Sequence, residues 1–261
     1  MRRLSTALVL VLAGVAAPAL AQDEPLCAER PGLGTPPCAT EKGRVIGELG
    51  LVSWTLAKGD GERTDTIVAG DALARVGLGG GTEVQVGWTA FGSVRDRVSD
   101  AVSRMSGVGD VSVGVLQEIV AGETLALSVL GRATLPTGGQ AIGAGDWSAA
   151  VYVPVEIELT DVLSFELTPS VAAAVDKDRS GRHLDYGLVA GVSADFDTHF
   201  ATLELAIDRD RDPAEITTPL LLGLSGGWRP SPDWQIDAGC NLGLDRDADD
   251  VQLYVGLARR F

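Results

Sequence analysis

The sequence predicts an all-β fold, a transmembrane antiparallel up-and-down β-barrel of about twelve strands. Two observations carry this prediction: apolar and polar residues alternate along most of a glycine-rich chain, and the chain ends on an alternating strand closed by an aromatic residue. Beyond the amino-terminal run, no stretch approaches the roughly 20 consecutive apolar residues that a transmembrane helix needs. Mean hydropathy is nevertheless positive, at +0.17. Apolar residues spread in this way suit a barrel wall, where half of each strand faces lipid and half faces a lumen.

The carboxy-terminal strand gives the clearest signal. One of its faces carries apolar side chains and the other mostly small or polar ones, as a period of two residues requires. The apolar face comprises Val251, Leu253, Val255, Leu257 and Phe261. An outward apolar face closed by a carboxy-terminal phenylalanine resembles the ending of bacterial outer-membrane barrels. We therefore interpret Phe261 as a barrel-assembly signal and expect the barrel-assembly machinery to be a partner.

The amino terminus predicts export. Arg2 and Arg3 precede an apolar run from Leu4 to Leu20, and Ala19-Leu20-Ala21 has the small-x-small pattern of a cleavage site. We predict a signal peptide over residues 1–21, cleaved after Ala21, and localisation in the outer membrane of a Gram-negative bacterium. An uncleaved membrane anchor is the alternative, although the run is at the short end of what a spanning helix needs.

Residues 22–43 are predicted to form an N-terminal segment that is periplasmic or plugs the barrel of residues 44–261. Cys27 and Cys38 lie in a proline-rich part of this segment. In an exported chain, such a pair favours a disulfide over a metal site. Cys240 is left over, and its apolar neighbours in the alternation indicate a small lipid-facing hydrophobe.

The strand candidates follow one another with turn signals between them. They are residues 44–56, 64–78, 82–92, 108–119, 124–135, 146–159, 162–175, 183–196, 199–208, 217–228, 233–244 and 249–261. Short connections, such as Gly79–Gly81, alternate with longer or more charged ones, such as Ser93–Gly107. This rhythm predicts periplasmic turns at one end and outer loops at the other. Five aromatic residues near the short turns predict a periplasmic girdle: Phe196, Phe200, Trp228, Trp234 and Phe261. The alternative is a soluble β-sandwich, whose core these aromatics would form.

The alternation also predicts which charged side chains line the lumen. They are Arg75, Glu83, Glu118, Arg132, Glu156, Glu158, Glu166, Asp185, Asp195, Glu204, Asp237 and Arg260. Charges on an inner wall must be paired or hydrated, so the lumen should be either a salt-bridged plug or a water-filled, cation-preferring channel. Pro154 and Pro169 each remove a hydrogen-bond donor from the sheet. We hypothesise that they bound a lateral seam through which a hydrophobic solute leaves into the bilayer.

Several function classes are not predicted. The formal net charge of −15 argues against nucleic acid and against anionic lipid headgroups as partners, although outer-membrane lipid and lipopolysaccharide would surround the barrel. The two histidines, His183 and His199, are predicted at opposite ends of the barrel, so we predict no catalytic residues and no cofactor. The run from Asp176 to Gly181 imitates the first half of a calcium loop without the second half, so no metal site is predicted.

Three stretches resemble the family of outer-membrane proteins named "putative MetA-pathway of phenol degradation". They are Ser106–Val115, Leu135-Pro-Thr-Gly138 and the ending Val251–Phe261. The resemblance covers most of the chain from about Gly43, and it transfers no catalytic or ligand residues. It implies a channel for passive uptake or efflux of small organic compounds, including aromatic or hydrophobic ones. The alternative is a non-conducting structural or adhesive barrel whose outer loops bind a partner.

Overall fold

The computed structural model describes residues 26–59 and 61–261. The predicted signal peptide and residues 22–25 lie outside the described residues. Within these ranges the chain forms fifteen strand segments in one antiparallel sheet and no helix. Accordingly, the described residues contain no helix of sufficient length and apolarity to cross a membrane.

The strand segments vary in length from two to eighteen residues. In chain order they are β1 (Val45–Gly59), β2 (Glu62–Gly79), β3 (Thr82–Val98), β4 (Ala101–Gly107), β5 (Val111–Ala121), β6 (Leu125–Leu135), β7 (Ser148–Tyr152), β8 (Val155–Glu158), β9 (Leu163–Val175), β10 (Arg182–Asp195), β11 (His199–Arg211), β12 (Ile216–Thr217), β13 (Leu220–Ser231), β14 (Trp234–Gly243) and β15 (Val251–Arg260).

The sheet closes on itself because β1 pairs with both β2 and β15. Three of the strands are interrupted, and each consists of two segments that pair with the same neighbour. The segments β4 and β5 both pair with β3, and the segments β12 and β13 both pair with β11. The segments β7 and β8 both pair with β6 on one side and with β9 on the other. The fifteen segments therefore make twelve strands of a closed antiparallel barrel. The predicted fold class is confirmed, and closure removes the unpaired edges that a sandwich would leave.

The two ends of the barrel differ. We call the end that holds Val45 and Arg260 the terminal end and the opposite one the loop end. The connections at the terminal end are short, and three successive glycines with positive φ, Gly79, Gly80 and Gly81, form the turn from β2 to β3. Longer connections, such as residues 136–147 between β6 and β7, lie at the loop end.

The strand prediction was wrong between Ser93 and Gly107, which was expected to be an outer loop. Strand β3 instead continues to Val98, turns at Ser99 with a φ of 53°, and pairs with β4. Similarly, β1 continues to Gly59 and β2 already begins at Glu62, so the predicted loop between them is shorter. Charged residues in these stretches were interpreted as loop signals, but they alternate regularly and can therefore occupy the two faces of a hairpin.

The wall is apolar outside and polar inside. Exposed large hydrophobic residues cover the outer face of nearly every strand, whereas the buried residues include Arg75, Glu83, Glu204 and Arg260. Few hydrophobic residues are buried among the described ones, and the core cluster that they form consists of Leu26, Ile46 and Ala258. This reversed distribution is what a lipid environment favours. Four of the five predicted girdle aromatics are exposed at the terminal end, and Phe200 is half-buried under Arg229.

The inward and outward faces of β1 exchange midway. Ile46, Glu48 and Gly50 face the lumen near the terminal end, where they are buried. At Leu51 the register between β1 and β15 shifts by one residue, which is a β-bulge. Beyond it, odd-numbered residues of β1 such as Ser53 face the lumen, since Ser53 lies opposite the inward-facing Tyr254.

Candidate functional site: the lumen and its inner segment

The lumen is occupied by the chain's own amino-terminal part, residues 26–42, which we call the inner segment. It forms hydrogen bonds with inward-facing residues on strands around the barrel. A single short segment can reach all of these strands only if it lies inside the lumen. The wall partners are Glu48 on β1, Arg75 on β2, Glu83 on β3, Glu118 on β5, Ser128 on β6, Thr168 on β9, Glu204 on β11, Asp237 on β14 and Tyr254 on β15.

Wall carboxylates hold the backbone of the inner segment. Both oxygens of Glu48 accept amide hydrogen bonds, from Glu29 at 2.9 Å and from Arg30 at 3.0 Å. Across the lumen, both oxygens of Glu204 accept the amides of Leu33 and Gly34 at 2.8 Å. The inner segment has no strand pairing to satisfy these amides, and burying them unpaired would be costly. Each glutamate therefore fixes one turn of the inner segment.

The returning half of the inner segment is held in the same way. Glu118 accepts the amide of Ala39 at 2.8 Å, and Glu83 accepts both the amide and the hydroxyl of Thr40, at 2.7 and 2.5 Å. The inner segment then leaves the lumen at the terminal end, where the amide of Gly43 donates to the carbonyl of Gly77 at 2.9 Å.

Arg75 joins the wall to the covalent loop inside it. Its Nε lies 2.8 Å from Glu83 Oε1 and its Nη1 3.3 Å from Glu48 Oε1. The same guanidinium donates to the carbonyl oxygens of Cys27 at 2.6 Å and Cys38 at 2.9 Å. A disulfide joins these two cysteines. Arg75 is fully buried, so this network of one cation, two carboxylates and two carbonyls is shielded from water.

Arg30 anchors the far side of the inner segment. Its Nη2 lies 3.2 Å from Asp237 Oδ1, and the guanidinium is stacked 5.9 Å from the centre of the Tyr254 ring. The inward faces of β1 and β15 are open here because Gly50 and Gly256 lack side chains, and a Cβ at Gly256 would overlap the Arg30 guanidinium. The Tyr254 hydroxyl also donates to the inner segment, at the carbonyl of Pro31.

Two further arginines predicted to line the lumen pair with the inner segment. Arg132 contacts Glu29 at 2.8 Å. Arg260 contacts Glu41 at 2.6 Å and Asp233 at 2.8 Å. Sequence reasoning missed one of the main carboxylates, Glu48, although its alternation with the apolar Val45 and Leu49 would have indicated an inward position.

Five predicted lumen residues lie apart from these contacts, namely Glu156, Glu158, Glu166, Asp185 and Asp195. Glu156 and Glu166 are cross-strand partners on β8 and β9, and both are half-buried. Asp185 lies opposite Asp210 on β11, towards the loop end. At the terminal end, Asp195 pairs with Arg229 at 2.6 Å, and Glu158 is exposed. These carboxylates therefore do not hold the inner segment.

A cavity of about 260 Å³ lies on the loop-end side of the inner segment. Residues Arg30–Leu33 of the inner segment form part of its lining. The wall around it combines polar and apolar residues, including Ser53, Val68, Asp71, Asn241, Gln252 and Tyr254. The Asn241 amide donates to Gln252 at 2.8 Å, while its Oδ1 is buried with no hydrogen-bond partner in the described structure.

Of the two prolines in the predicted seam, only Pro154 interrupts a strand. Pro154 separates β7 from β8, whereas Pro169 lies within β9. Hydrogen bonds continue on both sides of the interruption, because the amide of Ser128 donates to Pro154 O and that of Val153 donates to Pro169 O, each at 3.0 Å. A lateral opening would have to break these bonds.

One histidine lies among carboxylates at the loop end. His183 Nδ1 lies 2.8 Å from Asp176, and Nε2 lies 2.7 Å from Asp210. Potential ligand atoms of Asp176, His183 and Asp212 all lie within 4.8 Å of one another, so this group has the spacing to hold a cation. The Lys177 amide donates to the Asp212 carboxylate and is the main reason that its pKa is lowered. A protonated His183 would satisfy the same acids by ion pairing.

A family model described as "Putative MetA-pathway of phenol degradation" matches residues 45–261, which include every strand of the barrel. The chain belongs to this family. The resemblance predicted from three short motifs is therefore confirmed. The MetA-pathway match begins at Val45, so the inner segment lies outside the matched region.

Solved structures share the barrel of this MetA-pathway family member at low sequence identity. The KdgM porin in complex with disordered oligogalacturonate is 10% identical, with a TM-score of 0.52 over 84% of this chain and 99% of that chain. The NanC porin is 9% identical, with a TM-score of 0.52 over 83% and 98%. The translocator domain of the autotransporter NalP from Neisseria meningitidis is 15% identical, with a TM-score of 0.51 over 85% and 90%. These similarities show the fold alone. A search of curated proteins finds no significant match.

Proposed function

We propose that this protein is an outer-membrane channel for passive movement of small organic compounds, closed by its inner segment. One observation carries the proposal: the lumen is filled by a separate stretch of chain held through polar contacts, not by interlocking side chains of the wall. A barrel of about twelve strands is wider than the eight-stranded barrels that side chains alone can fill. Displacement of the inner segment would therefore open a passage.

The charge of the wall supports a water-filled passage. Without the inner segment, Glu48, Glu118 and Glu204 would face the lumen with no amides to accept from. Carboxylates on a pore wall remain ionised only in contact with water, and a ring of acids favours cations. The open channel should thus prefer cations and admit small polar or amphipathic solutes.

The terminal end would face the periplasm, because outer-membrane barrels have short turns and both chain ends on that side. In this orientation, the cavity beside Arg30–Leu33 lies on the exterior side of the inner segment. It offers the Tyr254 ring, the apolar Val68 and the unpartnered Asn241 Oδ1. Such a lining suits a small organic molecule with one apolar face and a hydrogen-bond donor. The family's description, which refers to phenol degradation, is consistent with solutes of this class.

Gly77→Ala tests whether the inner segment closes the channel. A Cβ at Gly77 would overlap the carbonyl oxygens of Thr40 and Glu41, where the inner segment leaves the lumen. Overpacking of this kind costs about 1–3 kcal/mol. We expect a roughly ten- to hundredfold increase in the open population, measured as faster osmotic swelling of proteoliposomes in small organic solutes.

Gly131→Ala is the matched control, because a Cβ at that position meets nothing within 4 Å. It should swell like the wild type. Equal swelling of all three proteins, each shown to be folded by a heat-dependent gel shift, would contradict the role of the inner segment in closure.

A non-conducting structural barrel is the competing function, and the Arg75 network favours it. Because Arg75 and Glu83 are fully buried, release of the inner segment would expose a network that is satisfied only when the inner segment is in place. A structural barrel would carry no current even when the inner segment is removed, whereas a channel would conduct. This difference distinguishes the two functions.

The lateral seam remains a prediction of its own. Pro154→Val with Pro169→Val would supply the two missing hydrogen-bond donors and should slow sideways release of a hydrophobic solute. The measurement is uptake of a fluorescent hydrophobic compound by cells that produce each variant. Uptake equal to the wild type would remove the support for a seam.

A further inference from the structure

The loop-end halves of β1–β4 carry an unusual concentration of positive charge. Two rows of cross-strand partners run across these four strands. The first row is Leu56, Asp65, Arg95 and Arg104, and the second is Lys58, Arg63, Arg97 and Val102. We call the five basic residues in these rows the arginine face. The whole chain has 36 acidic and 21 basic residues, yet the two rows contain five basic residues and a single acid.

The arginine face points away from the lumen. On this half of β1, Ser53 faces inward, opposite the Tyr254 that contacts the inner segment. Leu56 and Lys58 therefore face outward, because successive residues of a strand alternate. Directly opposite partners share a face, so Arg95 and Arg104 face outward with Leu56. The next row toward the membrane contains the outward-facing Trp54 and Ile67.

A groove is formed on this outer surface. Its volume is about 220 Å³, and Trp54, Arg63, Asp65, Ile67, Ser93, Arg95 and Arg104 line it. The only acid in this lining, Asp65, is already engaged: it accepts two hydrogen bonds from Arg63, both at 2.7 Å, and one from Trp54 Nε1 at 3.2 Å. Asp65 is therefore in direct contact with Arg63, and one carboxylate faces several arginines.

Arg95 and Arg104 make no direct ion pair in the described structure, and Arg104 is positioned by a neighbouring hydroxyl. Arg104 Nε donates to Ser93 Oγ at 3.0 Å, and Ser93 is 3% exposed. Within the ranges that the structure describes, neither arginine forms a salt bridge. Arg95 and Arg104 lie directly opposite each other on β3 and β4. Like charges at opposite positions destabilise a sheet, and an anion between them would relieve that repulsion. Guanidinium groups match phosphate oxygens in two parallel hydrogen bonds.

We propose that the groove of the arginine face binds a phosphate group of lipopolysaccharide in the outer leaflet. The inference rests on the orientation in the proposed function, which places the loop end outside, but not on conduction. Trp54 and Ile67 border the groove on the membrane side, where an acyl chain or sugar of the lipid would lie. Negative net charge does not oppose this binding, because charges more than about 8 Å away are largely screened at physiological ionic strength.

The test compares binding of phosphorylated and dephosphorylated lipid A to the purified, detergent-solubilised mature protein. Basic residues near an anionic membrane surface each strengthen binding severalfold, so Arg95→Gln with Arg104→Gln should weaken binding of phosphorylated lipid A by roughly thirtyfold. Arg211→Gln with Arg246→Gln removes the same charge from exposed loop-end positions elsewhere and should leave binding unchanged. Arg95→Lys with Arg104→Lys should retain most of the affinity.

Several results would overturn the proposal. Equal affinity of the wild type for both forms of lipid A would show that phosphate is not recognised. An equal loss in both arginine-to-glutamine pairs would show a general effect of net charge. Full displacement of lipid A by millimolar inorganic phosphate would indicate an unspecific anion site. Conductance of each variant, recorded separately, should match the wild type, so failure of lipid binding is distinguishable from failure of the channel function.

Discussion

Deletion of residues 26–42 should convert a mostly closed barrel into an open, cation-preferring pore. The barrel itself should survive, because β1 pairs with β2 and β15 through strand residues that the deletion leaves intact. The deletion removes the partners of Glu48, Glu118 and Glu204, whose carboxylates then line a water-filled lumen. We expect frequent discrete current steps in planar bilayers from the deleted protein and rare ones from the complete mature protein.

The reversal potential in a potassium chloride gradient measures the selectivity. In the deleted protein it should shift toward the potassium equilibrium potential, and Glu48→Gln with Glu204→Gln should reduce that shift. Glu158→Gln is a suitable control, because this carboxylate is exposed at the terminal end. A deleted protein that folds, as judged by its heat-dependent gel shift, and still carries no current would refute the channel and support the structural barrel.

The fold was predictable because strand alternation is a local property of the sequence. The ending from Val251 to Phe261 alternates in the structure as it does in the sequence, since lipid selects apolar residues on one face over the whole strand. The prediction failed where that selection ends. In β3 and β4, beyond the bilayer, charged residues occupy both faces of a hairpin. The sequence pattern of such a hairpin, in which charged residues alternate with valines, does not distinguish it from a loop.

The contents of the lumen could be predicted only in part. Alternation identifies Arg75 and Glu83 as inward-facing, but it does not say what they face. The path of the inner segment depends on hydrogen bonds between residues far apart in the sequence, such as Leu33 with Glu204. The bulge at Leu51 also reverses the faces of β1, which determines that Trp54 faces outward. A single inserted residue of this kind leaves no clear signal in the alternation.

Arg75→Met should release the inner segment, and its effect should approach that of the deletion. Removing one partner of a buried ion pair leaves an uncompensated charge and costs about 3–5 kcal/mol. Here the loss affects Glu48 and Glu83 together with the carbonyl oxygens of Cys27 and Cys38, which Arg75 holds at once. The strand pairing of β2 uses backbone groups and is unaffected. The structural change that costs the least free energy is therefore for the inner segment to leave the lumen and for water to enter.

Two measurements check this prediction. Current steps should become much more frequent, and residues 26–42 should become accessible to a protease added on the periplasmic side of reconstituted vesicles. Arg63→Met is the matched control: Arg63 also binds a carboxylate, that of Asp65, but its side chain is 40% exposed, and such pairs contribute at most about 1 kcal/mol. Arg75→Lys should have an intermediate effect, because an ammonium group retains the charge but cannot reach both glutamates and both carbonyls. If Arg75→Met remains as protected and as silent as Arg63→Met, the buried network does not hold the inner segment closed.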